Sequence, residues 1–155
     1  METLKTLRRK EMISQVLNNK EIVLFKKTIP AGTTETLQSR VKADATIEQC
    51  QIRFYSGQVG TLEVYPFIEA RGNMVRPLYT AVTTGEKFLS GDDDLFVFDL
   101  SEPVKYDDFI KVTVSNTGSY DYTLFVVMTL DYAKGLERAV MLWVIRSFLV
   151  IHWGL

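Results

Sequence analysis

The sequence is poor in the side chains that catalysis and metal binding use. Its 155 residues include one cysteine and one histidine. A lone Cys50 cannot close an internal disulfide, so the fold has no covalent staple and suits a reducing compartment. One Cys and one His are too few for a structural zinc site. His152 has no serine or cysteine at motif spacing, which removes a Ser-His-Asp or Cys-His centre. No Gly-rich phosphate loop is present, and Gly57-Gln58-Val59-Gly60 reads as a hairpin turn. The reading is therefore of a non-enzyme with no catalytic residues, no cofactor and no metal.

Charge of one sign is also missing. The formal net charge is −1, so there is no global basic field and nucleic acid is not an expected partner. The opening stretch METLKTLRRKEMISQ is basic but has no apolar segment behind it, so no signal peptide is expected. Long hydrophobic runs are absent too. The uninterrupted run Ala139 to Ile145 is too short to span a bilayer. Arg146 would sit mid-span at a cost of about 3 kcal/mol, so membrane contact is not expected.

Alternation is what the chain has instead. Segments LFVFDL (95–100), FIKVTVSN (109–116) and YDYTLFVVMTLDY (120–132) are rich in β-branched and aromatic residues and follow period two. Strands with one buried face read this way. The last two, joined through a turn at Gly118, look like an antiparallel pair. Upstream lie EIVLFKKTI (21–29), TETLQSRV (34–41), TIEQCQIRFYS (46–56) and TLEVYPFIEA (61–70), then MVRPLYTAV (74–82) and the short GEKFL (85–89). Cys50, Ile52 and Phe54 share an inward face, which makes Cys50 a small buried hydrophobe. Pro66 cannot donate to a ladder, which places its strand at an edge or in a bulge. Eight or nine short strands fit an all-β, antiparallel two-sheet sandwich of jelly-roll type.

Three parts follow. Residues 1–20 are polar helix formers and form an N-terminal helical arm. Residues 21–133 are the sandwich. Residues 134–155 begin near the hinge Lys134-Gly135 and are apolar nearly all the way round if helical. A segment of that kind must be buried, under the sandwich, between subunits or at a membrane surface. Its β-branched and aromatic content also permits a strand. Burial between copies or against a larger assembly is favoured, because the sandwich already has a core without it. Leu142, Trp143, Ile145, Phe148 and Trp153 are its assembly candidates.

Two further groups stand out. Tyr65 and Phe67 share a strand face with Glu63, opposite Leu62, Val64 and Ile68. They could stack on a sugar ring or fill a protein interface. Asp92, Asp93 and Asp94 form one acidic run, and Asp107 and Asp108 a second. If both loops emerge at one end of the sandwich, their oxygens could converge on Ca²⁺. The competing reading is solvated turns, where Asp is favoured for local hydrogen bonding.

Gly60 to Ile68 (GTLEVYPFI), Leu89 to Leu100 (LSGDDDLFVFDL) and Lys105 to Tyr132 resemble the small β-sandwich proteins of tailed-bacteriophage particles. These are head-decoration, head-fibre and tail-accessory modules. The likeness covers roughly two thirds of the chain and rests on a "YDD" entry, an "I-x-V-x-V-x-N" strand and a final alternating strand. It implies a structural virion protein, made in the host cytoplasm and homo-oligomeric, that contacts other virion proteins through its terminal segments. A carbohydrate-binding module for a cell-surface glycan is the alternative. The resemblance brings no functional residues with it.

Overall fold

The computed structural model describes residues 19–80 and 85–132. The N-terminal arm to residue 18 and the segment carrying Leu142, Trp143, Ile145, Phe148 and Trp153 lie outside the described residues. The described residues form eight strands: β1 (Lys20–Ile29), β2 (Thr34–Arg40), β3 (Ala45–Arg53), β4 (Leu62–Ala70), β5 (Met74–Pro77), β6 (Leu95–Val104), β7 (Phe109–Asn116) and β8 (Tyr122–Asp131). They form two four-stranded antiparallel sheets, ordered β1-β8-β3-β6 and β2-β7-β4-β5. Consecutive strands mostly alternate between the sheets, which is the double Greek key of a jelly roll.

Period-two patterning builds the core. Inward residues such as Phe25, Ile29, Ile52, Phe54, Val112 and Met128 are buried between the layers. Cys50, Ile52 and Phe54 point inward together, and so do Leu62, Val64 and Ile68, as their alternation requires. Burial pushes the Cys50 thiol up to about 12, because the low-polarity core disfavours the thiolate.

Two expectations about pairing fail. FIKVTVSN (β7) and YTLFVVMTLD (β8) are consecutive and alternate alike, yet they do not pair. β7 lies between β2 and β4, while β8 lies between β1 and β3. The chain between them crosses from one sheet to the other, so their apolar faces meet across the core rather than side by side. Asn116 secures that crossing. Its side-chain amide donates to Ile29 O (3.0 Å) and Tyr120 O (2.8 Å), and its Oδ1 accepts from Gly118 N (3.0 Å).

The second failure concerns Pro66. Its strand, β4, is flanked by β7 and β5 and is not an edge, and its ladder to β7 runs without a register shift. Proline is tolerated because its carbonyl faces β5, accepting from Leu78 N (3.0 Å). Its missing N–H faces the same side, where the β4–β5 ladder ends at the Phe67–Pro77 pair. The segment GEKFL yields only an isolated bridge, Val64 with Leu89.

The sandwich has two distinct ends. At one, here the root end, β1 begins and β8 finishes. Lys20 pairs with Asp131, and Tyr132 N donates to Asn19 O (2.9 Å). The chain therefore enters and leaves the described sandwich on adjacent strands. Among the described residues no helix is long and apolar enough to cross a membrane.

Candidate interaction surfaces

The two acidic runs lie at opposite ends of the fold. Asp94 immediately precedes β6 and Lys105 immediately follows it. Ten strand residues separate the two loops, about 33 Å. The carboxylates cannot converge, which removes the shared Ca²⁺ reading. Each has a local task instead. Asp92 Oδ1 accepts from Gly57 N (2.7 Å), Asp93 pairs with Arg53 (2.8 Å), and Asp94 Oδ2 accepts from Asp92 N (3.0 Å). At the root end Asp107 pairs with Arg40 (2.5 Å) and, more loosely, Arg71 (3.7 Å). Asp108 is buried and accepts from Lys105 N (2.8 Å) and Arg71 N (3.4 Å). These are turn-binding carboxylates, for the local hydrogen-bonding reasons that favour Asp in turns.

The root-end loop borders a cleft of about 500 Å³ between β5 and β6, which are edge strands among the described residues, lined by Ala70, Arg71, Met74, Arg76, Pro103, Lys105 and Asp108. Arg76 crosses it, donating to Glu102 (3.1 Å) and to Pro103 O (2.7 Å). The cleft thus has an apolar floor and a rim on which Asp108 is already committed to the backbone.

Tyr65 and Phe67 do lie on the outer face of β4, with Glu63. Their rings stack on each other at 4.9 Å and 19°. Phe67 is only 8% exposed, so the pair is a packed unit rather than an open platform. Beside Phe109 and the exposed Val75, the rest of this outer face is mostly polar. Thr34 hydrogen bonds Ser115 (2.7 Å), Thr36 hydrogen bonds Thr113 (2.8 Å), and Lys111 pairs with Glu69. Cross-strand hydroxyl ladders of this type suit a water-facing sheet.

The other sheet is different, and its outer face was not among the expected sites. Register places three rows across all four strands: Ile22–Thr129–Gln49–Asp99, Leu24–Val127–Gln51–Val97 and Lys26–Phe125–Arg53–Leu95. Ile22 is 69% exposed, Leu24 53%, Leu95 52% and Val97 49%. Charges are confined to the margin. The polar centre is internally satisfied, because Gln51 donates to Gln49 (2.6 Å) and Gln49 donates to Asp99 (3.0 Å). An uncharged centre with a charged margin is the layout of a protein interface.

A signal for this face was present in the sequence. Ile22 to Phe25, Leu95 to Phe98 and Leu124 to Met128 are continuous apolar runs, not alternations. Strands buried on both faces read that way. The strands β2 and β7 of the polar sheet alternate cleanly by comparison.

Fold and surface define, among the described residues, an eight-stranded jelly roll with one mostly polar outer face and one on which exposed aliphatic side chains stand among polar ones. No protein-family model and no curated protein matches the sequence. Among solved structures, the chain is similar to the Yersinia pseudotuberculosis-derived mitogen at 11% identity and a TM-score of 0.44, covering 72% of this chain and 85% of that one. It is similar also to the VP2 protein of infectious bursal disease virus in T=1 particles, at 13% identity and a TM-score of 0.40. That match covers 73% of this chain and 31% of the VP2 chain, so the present chain spans about a third of it.

Proposed function

We propose that this chain is a non-enzymatic structural protein of a virus-like particle, of the kind built by tailed bacteriophages. It displays the jelly roll and docks on copies of itself and on other particle proteins through its terminal segments. The observation that carries the reading is the apolar outer face of the β1-β8-β3-β6 sheet. Four aliphatic side chains there, Ile22, Leu24, Leu95 and Val97, are about half exposed or more. The largest exposed apolar patch of a protein is often functional, and left open it promotes aggregation. The chain's entry and exit at the root end of this same sheet add weight, because both terminal segments start beside that face.

Absolute mass by light scattering tests the reading, comparing the full chain with one ending at Lys134. A defined oligomer for the full chain and a folded monomer for the shorter one is the expected result. Two folded monomers would overturn it. A ligand-binding module would then be the better reading.

A further inference from the structure

We infer that the outer face of the β1-β8-β3-β6 sheet is the seat for residues 136–155 of a second copy. This rests on the assembly reading above and names its receiving surface. Three observations select that occupant.

The first is area. Four strands about 4.8 Å apart and three rows about 6.8 Å apart make a patch of about 400 Å². A stable interface needs about 800 Å² from each partner. Two such faces pressed together fall short of that, so the face needs a partner that brings apolar surface of its own. Residues 136–155, LERAVMLWVIRSFLVIHWGL, are the most apolar stretch of the chain. When each copy both gives and receives a segment, the buried area doubles.

The second is chemical fit. Covering the centre of the face is eased by the Gln51–Gln49–Asp99 chain, in which each amide donates to the next side chain. The occupant carries only Glu137, Arg138, Arg146 and His152 as ionisable side chains. The margin offers Asp99 as an acidic partner for an arginine of the segment, and the centre offers Leu24, Val127 and Val97 to its aliphatic and aromatic side chains.

The third is reach. The segment is joined to β8 through Ala133, Lys134 and Gly135. Three residues extend about 10 Å at most. That equals the height of one packed layer above a sheet, about 10 Å. To cover its own face the segment would have to climb that height and also reverse over the Lys20–Asp131 pair at the root end. The face of a neighbouring copy imposes no reversal.

The test uses full-length chains. Leu24→Asp combined with Val97→Asp places two charges in the patch at exposed positions, and Ile22→Lys with Leu95→Lys is an independent second pair. Gln38→Asp, exposed on the polar sheet, is the control. Light scattering should show both face variants at least tenfold weaker in self-association, with unchanged circular dichroism, and the control unaffected. Mixing a Val97→Cys chain with a Ser147→Cys chain under oxidation should give a cross-link between the two, which Gln38→Cys should not. If the face variants assemble like wild type while truncation at Lys134 abolishes assembly, the segment sits elsewhere. The inference then falls and the assembly reading stands. If a Val97→Cys/Ser147→Cys chain cross-links only within itself and runs as a monomer, the segment covers its own face, and both fall.

Discussion

Replacing Asn116 should damage the fold more than its polar character suggests. The side chain is 2% exposed and makes three hydrogen bonds, two donated to Ile29 O and Tyr120 O and one accepted from Gly118 N. Each such bond contributes a net ~1 kcal/mol, and a buried group left unpaired costs ~1–3 kcal/mol more. Ile29 ends β1, and Tyr120 and Gly118 lie on the crossing to β8. Water can reach the exposed Tyr120, which limits the penalty there. Asn116→Ala should therefore cost about 3 kcal/mol, lowering Tm by about 6–12 °C. Asn116→Asp separates hydrogen bonding from packing. The carboxylate keeps the bond from Gly118 but faces two carbonyl oxygens. It should cost more than alanine at pH 7 and recover part of the loss below pH ~4, when a proton lets it donate once. Urea denaturation at pH 7 and pH 4 measures both. A loss under 1 kcal/mol for Asn116→Ala, with no pH dependence in Asn116→Asp beyond wild type, would refute the role assigned to this residue.

Gly91 gives a second test. A Cβ there would lie 2.7 Å from Asp94 Oδ2 and 3.1 Å from Phe54 Cδ2. Asp94 is held by Asp92 N, and Phe54 is fully buried, so Gly91→Ala should cost about 1–3 kcal/mol in urea denaturation. Cys50 gives a third. Its folded thiol sits up at about 12, while an unfolded thiol ionises near ~8.5. Its contribution is intact below pH ~8.5 and is lost as pH rises toward 12, because only the unfolded chain releases the proton. At pH 10 the loss should be about 2 kcal/mol relative to pH 8. Cys50→Ala should lose that part of the pH dependence, and a thiol reagent at pH 8 should label wild type only on unfolding.

Much of the fold was legible because one buried face imposes period two. Cys50, Ile52 and Phe54 declared their direction in that way, and so did Leu62, Val64 and Ile68. Pairing was not legible. Period two reports which face is inward but carries nothing about which strand lies alongside, so β7 and β8 looked like partners when they face each other across the core. The acidic runs misled for a related reason. Whether two loops share an end depends on how many strands separate them, and a single strand, β6, sends them apart. Of the candidate sites, Tyr65 and Phe67 were found on the expected face, yet their stacking on each other depends on side-chain geometry that spacing does not encode. The apolar outer face went unread although its residues were in view. Ile22 to Phe25 and Leu95 to Phe98 are apolar at consecutive positions, so both faces of these strands are apolar, and the outward one is left exposed.

The pairing of the first strand with the last has a consequence for synthesis. Among the described strands β1 has a single neighbour, β8, and β3 lies on the far side of β8. Lys20 waits for Asp131, a partner more than a hundred positions later in the chain. Until the last strand leaves the ribosome, one sheet exists only as the β3–β6 pair and a solitary β1. Folding of this domain is therefore a late event that follows synthesis rather than tracking it. Its rate is set by long loop closure, in the slow, millisecond-to-second class of sheet proteins dominated by distant contacts. During that interval the apolar runs of β1 and β6 are open to every other nascent copy. Expression at lower temperature or lower rate should accordingly raise the soluble fraction.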